Sequence, residues 1–586
     1  MIPPAELSDC PSSDTTHQSW KANDSFARAD HELSANEPPW TRTRLIIPRG
    51  DRTFFALPDL ATASNVARGN RELLERNPLD IQGRSLAELR NSARREILQL
   101  ANSYTADLTG EPVNESLTEE LLFCSGHQPS LFHPGVWIKN FAIRSLADQT
   151  GGLALNLVID NDTVSNRQIR VPIGPKEQPS IRDFAFDDPH SAVPWEEAAI
   201  ENLERFEQFG PQVSGVMADW QIEPILREIW PDAVSQSRKS PLLRDALTAA
   251  RIKLERRWGL SNLEVPLSRV CETEVFLWFA AAILTRLPKF WAAYNSVLGE
   301  FRSVNRIRSQ THPVPQLAED DGWYEAPFWV WPEGGSRRQR VFAKACSREV
   351  RLSDGREIFA RLPLTSGSDV ADAVAVLKEL PGRGIRFRTR ALTTTLFSRL
   401  CLADLFVHGI GGAKYDEMTD RLIARFFGLK APGFLTLSCT VHLPLGKPYS
   451  VHPEEERKIL HELRDVKFNP ERHLTGALSP EIETSIAEKK ALMAEKVARE
   501  TSGLSLADRR RRHRENHERH LRLKEITEQL RGETAKARRL LEAELETVRQ
   551  QLRANAVLED REFSFALYPE DKLRTFLTNA VEPGAP

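Results

Sequence analysis

The stretch 124-CSGHQPSLFHPGVWIKNFAI-143 decides how the chain is read. Before it stands a short apolar run, 121-LLFC-124, with the character of a strand. After Pro134 the residues fit a helix that carries Lys139 and reaches about Ala147. Between them lie Ser125, Gly126, His127 and Gln128, then two prolines and a second histidine, His133. Such a junction either makes a tight turn or holds a ligand at a helix start, where free amides and the helix dipole favour an anion. Downstream, 153-LALNLVIDND-162 is an unbroken apolar run, the pattern of a strand buried on both faces. Strand, glycine turn, helix and strand make a right-handed βαβ unit, so an α/β fold with a parallel, doubly wound sheet is expected.

The 586 residues exceed one ordinary core and suggest about three to four domain-sized pieces. With 79 basic against 82 acidic residues the net charge is only -3, and nothing in that balance demands nucleic acid or an anionic membrane. The six cysteines form no CxxC pair and are expected to be reduced thiols of a cytoplasmic protein. The longest apolar run, 275-VFLWFAAAIL-284, falls short of the roughly 20 residues that span a bilayer and reads as a buried helix.

The chain divides by pattern. Residues 1–40 are polar and rich in Pro and Ser, a disordered leader. Residues 41–175 make the first half of the core. They open with a strand at 44-RLIIP-48 and include a helix at 85–108 whose start carries a capping box, Ser85 with Glu88. Residues 176–335 are a mainly helical insertion ending in the aromatic stretch 322-GWYEAPFWVWPEGG-335, read as core, with a stacking surface as the alternative. Residues 336–450 hold a hairpin at 340–362, turning at Ser353-Asp354-Gly355, and the second half of the core. There, His408 through Gly412 break the chain before a helix starting near Lys414, and a strand follows at 433–444. Residues 451–560 are poor in Gly and aromatics. Leu523, Ile526, Leu530, Ala537, Leu541, Leu545, Val548 and Leu552 repeat at three-four spacing, as in an antiparallel coiled-coil arm with a bend at Thr501-Ser502-Gly503. Residues 561–586 are a tail returning to the core.

Ligands of open parallel sheets gather beyond the carboxyl ends of the strands. That rule puts His127, Asp160 and Asp162 at one crevice. His127 would stabilise developing negative charge, and the two acids would orient an ammonium group or a metal, although no metal-ligand motif is expected. The plain alternatives are a helix-capping histidine and an Asx turn. The glycines of 408-HGIGG-412 allow close approach to a phosphate or sugar, but fit neither GxGxxG nor the P-loop pattern. His513, His517 and His520 fall on one helix face, within a run of mixed charge that reads as solvated.

Together these segments resemble the family of bacillithiol-biosynthesis cysteine-adding enzymes. That family's GQQ-x-GLF-x-GP turn is matched by GHQPSLFHPG, with His127 in place of the first Gln. Its acidic strand end is matched by LNLVIDND, its GGPGE-type turn by HGIGGAKYDE, and its terminal segment by 567-LYPEDKLRTFL-577. The similarity runs in short patches from about 120 to 580. It implies a Rossmann-like, nucleotidyltransferase-like core with a dimerising coiled coil. It also implies a ligase joining an amino acid such as cysteine to an amine or carboxylate acceptor, with ATP or ADP as candidate nucleotide. The crevice it implies has His127, Asp160 and Asp162 as catalytic residues. Gly126, Gln128, His133, Lys139, His408, Gly411, Gly412 and Glu417 would be its binding residues. A catalytically inactive scaffold of the same fold is the competing reading. The HxGH turn of Rossmann adenylating enzymes is only half present, as Gly126-His127.

Overall fold

The structure, a computed structural model, describes residues 40, 45–111, 120–164, 166–189, 192–309, 311–312, 314–364, 370–494 and 505–582. The expected leader, up to residue 39, and the expected bend at Thr501-Ser502-Gly503 lie outside the described residues. The strands are β1 (Thr53–Leu57), β2 (Asp80–Ile81), β3 (Arg84–Ser85), β4 (Leu122–His127), β5 (Leu153–Val158), β6 (Gln168–Ile173), β7 (Ser180–Ala185) and β8 (Leu263–Pro266). They continue with β9 (Glu319–Asp320), β10 (Trp323–Pro332), β11 (Gln339–Ala345), β12 (Val350–Ser353), β13 (Ile358–Leu362), β14 (Ile385–Thr389), β15 (Leu405–His408) and β16 (Phe434–Thr440). The longer helices of the first half are α1 (Ala63–Glu75), α2 (Leu86–Thr109), α3 (Pro134–Thr150), α4 (Leu203–Ala218), α5 (Leu226–Ser237), α6 (Leu243–Arg257), α7 (Glu274–Thr285) and α8 (Leu287–Asn305). Those of the second half are α9 (Val370–Lys378), α10 (Ala391–Phe397), α11 (Ile410–Leu422), α12 (Pro453–Phe468), α13 (Pro480–Ala494), α14 (Leu506–Glu533), α15 (Ala535–Leu558) and α16 (Glu570–Asn579).

Two compact units result. The first takes the described residues up to Val171, Arg182–Leu443 and those from Arg561 onward; the second takes Pro172–Ile181 and Pro444–Asp560.

The first unit is built on a six-stranded sheet of order β1-β16-β15-β4-β5-β8, parallel except for the edge strand β1. By appearance in the chain, the five parallel strands run 3-2-1-4-5 from β8 to β16. The order reverses between β4 and β15, which is the topological switch point. The strands are buried on both faces, as the unbroken apolar runs require. Two expectations need correcting. Leu45–Pro48 forms no strand, and the edge strand is β1. The helical insertion also returns a strand, β8, to the sheet. One face packs Cys124, Leu155, Leu157 and Val265 into a core with α2 and α7, and the apolar run Val275–Leu284 is buried throughout. The box of Ser85 and Glu88 starts α2 as expected.

A second sheet in this unit is antiparallel, in the order β13-β12-β11-β10-β14, with β9 on β10. The hairpin expected at 340–362 is a three-strand meander, β11 to β13, and the aromatic stretch is β10, paired between β11 and β14. Trp323, Phe328, Val330 and Trp331 are buried, while Trp329 is only half-buried. A bulge against β11, between Ala326 and Trp329, breaks the alternation there.

The second unit consists of antiparallel helix pairs. α12 lies along α15, with Arg549 donating to Glu456 at 2.8 Å and the Tyr449 amide donating to Asn555 at 2.8 Å. α13 lies along α14, with Arg522 donating to Glu488 at 2.7 Å and Ser485 donating to Gln529 at 3.3 Å. Ile526 and Leu530 pack on Ile482, and Leu545 and Val548 pack on Val451 and Ile459, so the three-four stripe is buried within the chain. His513, His517 and His520 are exposed on α14.

Among the described residues no single helix is long and apolar enough to cross a membrane. Cys124, Cys271, Cys401 and Cys439 are free and buried. Cys346 is disulfide-bonded, against the expectation of six reduced thiols.

Candidate functional site

Register decides where each candidate side chain points. Val407 of β15 lies opposite Ser125 of β4, and Asn156 of β5 lies opposite the same residue. Paired residues of parallel strands share a face, and neighbours along a strand alternate. His127 therefore projects on the face of Ser125 and Asn156, and His408 on the other. Their strands adjoin at the switch point, yet the sheet lies between their rings. The shared rim exists, but its two histidines do not converge on one ligand.

His127 is 8% exposed, and its ring packs edge-on to Phe132 at 4.6 Å between centroids. Nε2 lies 3.2 Å from Oδ1 of Asn140, whose Nδ2 donates to Glu255 at 2.7 Å, and Nδ1 lies 3.2 Å from the Gln128 carbonyl, so both ring nitrogens face acceptors within the protein. Burial, reinforced by Arg251 and Lys139, pushes this imidazole well below the usual histidine range, so it is neutral. A neutral ring held in this way does not supply the charge expected of it. It belongs to a buried network running across three strands. Ser125 donates to Asn156 at 2.6 Å, and Asn156 donates to Glu264 at 3.0 Å. Arg251 of α6 bridges Glu264 at 2.7 Å and Glu255 at 2.9 Å. Trp137 of α3 also donates to Glu255, at 2.6 Å.

The other candidates separate in the same way. Asp160 is fully buried. It accepts from Arg244 at 2.6 Å, from the Ser268 amide at 2.8 Å and from the Ser268 hydroxyl at 2.5 Å, which clamps the end of β5 to α6 and to the residues after β8. Lys139 is buried and donates to the Gly126 carbonyl at 2.6 Å; burial pulls its ammonium down to about 8. His133, not His127, caps α3, accepting from the Gly135 amide at 3.1 Å. Gly135 is obligatory, because a Cβ there would lie 2.6 Å from the Cys439 carbonyl. His408 meets Asp416 at 2.9 Å, and Arg399 holds the same carboxylate oxygen at 2.5 Å. Burial raises the Asp416 pKa, but Arg399 and His408 outweigh it and keep the carboxyl far below the usual range. Gly411 and Gly412 stand inside the first turn of α11, not in a loop as expected. A Cβ on Gly412 would come within 3.0 Å of His408 Nδ1, so this glycine makes room for the imidazole. Glu417 accepts from Trp40 at 3.2 Å, away from the histidines.

Gln128 and Asp162 remain. Gln128 donates to Asp162, which also takes the Thr163 amide at 2.9 Å and Arg338 at 2.9 Å and is 40% exposed. Asn161 donates to the Thr389 carbonyl at 2.7 Å, so the loop after β5 meets the end of β14. A cavity of about 220 Å³ opens there, lined by Asp162, Arg338, Trp329, Arg390, Thr393 and Thr394 among others. The Arg390 guanidinium lies 4.1 Å above the centroid of Trp329, and that of Arg338 lies 5.0 Å from it. Arg390 donates through Nη2 to Glu325 at 2.7 Å, but its buried Nε has no partner among the described residues. Two larger cavities, about 880 Å³ between α4 and α5 and about 800 Å³ between β1 and α16, do not adjoin Gln128 or Asp162.

The sequence reading missed Trp329, Arg338 and Arg390. The usable signal was 386-RFRTR-390, whose arginines alternate along a strand and so share one face. Each finds a carboxylate: Arg386 meets Glu197 and Glu333, Arg388 meets Glu196 and Glu272, and Arg390 meets Glu325. Burial lifts Glu196 to about 7 despite the pull of Arg388. Compared with models of protein families the chain matches none, and no curated protein matches it.

Proposed function

We propose that the chain is a ligase-like enzyme joining an amino acid, cysteine being the first candidate, to a small-molecule acceptor at the carboxyl edge of its parallel sheet. Amide formation in water is uphill, so an oxygen of the acceptor carboxylate first attacks a phosphorus of the nucleotide, with ATP or ADP as the candidates, and the P–O bond to the rest of the nucleotide breaks, ATP releasing ADP or pyrophosphate. The amine attacks the activated acyl carbon, loses a proton and expels the phosphate-bearing group. In this reading the sheet is a Rossmann-like, nucleotidyltransferase-like core in the cytoplasm. Gln128 and Asp162 face the substrate, while His127, Asp160 and Lys139 hold the strand ends in place. The observation that carries the reading is the cavity beside Asp162, which meets both arginines beyond the carboxyl end of β5.

The test is release of ADP, AMP or phosphate from ATP by the full chain, with amino acids and carboxylate acceptors supplied in pairs. The reading expects release that depends on the amino acid, together with a condensed product seen by mass spectrometry. Release indifferent to the amino acid, or none with any pair, contradicts it. A specific observation favours the inactive scaffold as second reading: His127, expected to stabilise negative charge, and Asp160, expected to orient an ammonium group or a metal, are both taken up by the protein itself.

The second unit serves as a coiled-coil arm that makes a homodimer. Leu506, Leu521 and Leu540 stay exposed on α14 and α15, available to a second copy. Leu521→Glu with Leu540→Glu should give a monomer by light scattering; an unchanged mass removes the arm from dimerisation.

A further inference from the structure

The cavity beside Asp162 has a definite chemistry. At about 30 Å³ per water molecule, its 220 Å³ equals about seven waters. It is smaller than the roughly 300–1,000 Å³ of sites for drug-sized ligands, and far too small for a nucleotide. Its polar groups are of two kinds. Arg390 lines it with a guanidinium whose buried Nε has no acceptor among the described residues, and such a donor is costly to leave unmet. Thr393 and Thr394 spend their hydroxyl protons on backbone carbonyls, those of Pro327 and Arg390, each at 3.1 Å. Their oxygen lone pairs are left to accept. Asp162 adds a partly exposed carboxylate to the wall, and Ile159, Val314, Pro327 and Leu392 make the rest of it apolar.

We infer that this cavity binds a free α-amino acid with a small, uncharged side chain. The carboxylate lies toward Arg390 and Arg338, and the ammonium lies toward Asp162 and the two threonine oxygens. A zwitterion answers both kinds of group at once; a bare anion answers only the arginines. The inference rests on placing the ligase reaction at this crevice and names the subsite that takes its amino acid. The nucleotide, by size, binds outside the cavity.

The experiment is calorimetric titration of the full chain with L-alanine, L-serine and L-cysteine, and with propionate, ethylamine and inorganic phosphate. The amino acids should bind at least on the order of tenfold tighter than propionate or ethylamine, since each half loses a charge-assisted contact. Asp162→Asn, which keeps the shape of a partly exposed side chain, should weaken the amino acids on the order of tenfold without weakening propionate, because Arg338 loses its competing carboxylate. Arg390→Lys should weaken amino acids and propionate alike. Propionate or phosphate binding as tightly as alanine overturns the inference in favour of a plain anion site. Amino-acid affinity untouched by both variants overturns it too, as does the absence of any binding. The two readings fail separately. Binding as described without turnover removes the ligase and leaves the subsite; turnover with affinity indifferent to Asp162 and Arg390 removes the subsite and leaves the ligase.

Discussion

The polar groups under the strand ends and those around the cavity make opposite use of the same residue types. Beneath β4, β5 and β8, Ser125, Asn156, Glu264, Arg251, Glu255, Asn140 and His127 satisfy one another through two helices. Around the cavity, Arg390 Nε has no acceptor among the described residues, and Asp162, though it takes Gln128, the Thr163 amide and Arg338, stays 40% exposed. The first region spends its hydrogen bonds on a unique arrangement of sheet and helices; the second keeps some in reserve. A reserve of that kind is what a ligand needs. Mutations in the first region should therefore act on stability, and those in the second on binding.

The strongest break in that contrast is Arg251→Met. It leaves Glu255 and Glu264 buried without their shared cation, and denaturant unfolding should show a loss of about 3–5 kcal/mol. A loss below 1 kcal/mol would mean the network is not as closed as it looks. Next comes Lys139, whose buried ammonium titrates near 8 in the folded chain, against the ordinary value of 10.5. Between those values the unfolded chain binds the extra proton, so stability should rise with pH by up to about 3 kcal/mol and fall again on acidification. Lys139→Met should flatten that rise; a parallel profile in the variant refutes the assignment. His127→Ala should cost about 1–3 kcal/mol, because it leaves Asn140 Oδ1 unpartnered, and it should leave amino-acid affinity intact. Turnover lost at unchanged melting temperature would instead restore His127 as a catalytic residue. Least disturbing to the fold is Asp162→Asn, where a partly exposed ion pair is worth less than about 1 kcal/mol. Its effect should be confined to binding.

Particular residues show how much of this was legible. The unbroken runs of β4 and β5 and the paired Ser85 and Glu88 carry their meaning locally, so the parallel pair and the start of α2 can be read directly. β8 could not be read that way. Its four residues, LEVP, include a charge and a proline, and only Arg251 and the neighbouring strand make Glu264 tolerable there. The start of α11 was misread because Gly is poor inside a helix by about 1 kcal/mol, a preference overridden by the room His408 needs above Gly412. At the site, histidines and paired acids drew attention because they are chemically versatile. Whether such a group is free or satisfied depends on partners a hundred or more residues away, as Asp160 shows with Ser268. Arg338 and Arg390 belong to no motif in the sequence, and only the fold brings them over the ring of Trp329, next to the bulge in β10.

The most direct test of the account is a crystal structure of the full chain grown with L-alanine or L-cysteine. The account predicts density for one amino acid in the cavity, its carboxylate within hydrogen-bonding distance of the Arg390 guanidinium and its ammonium turned toward Asp162. An empty cavity with the amino acid bound against His127 or His408 would contradict it.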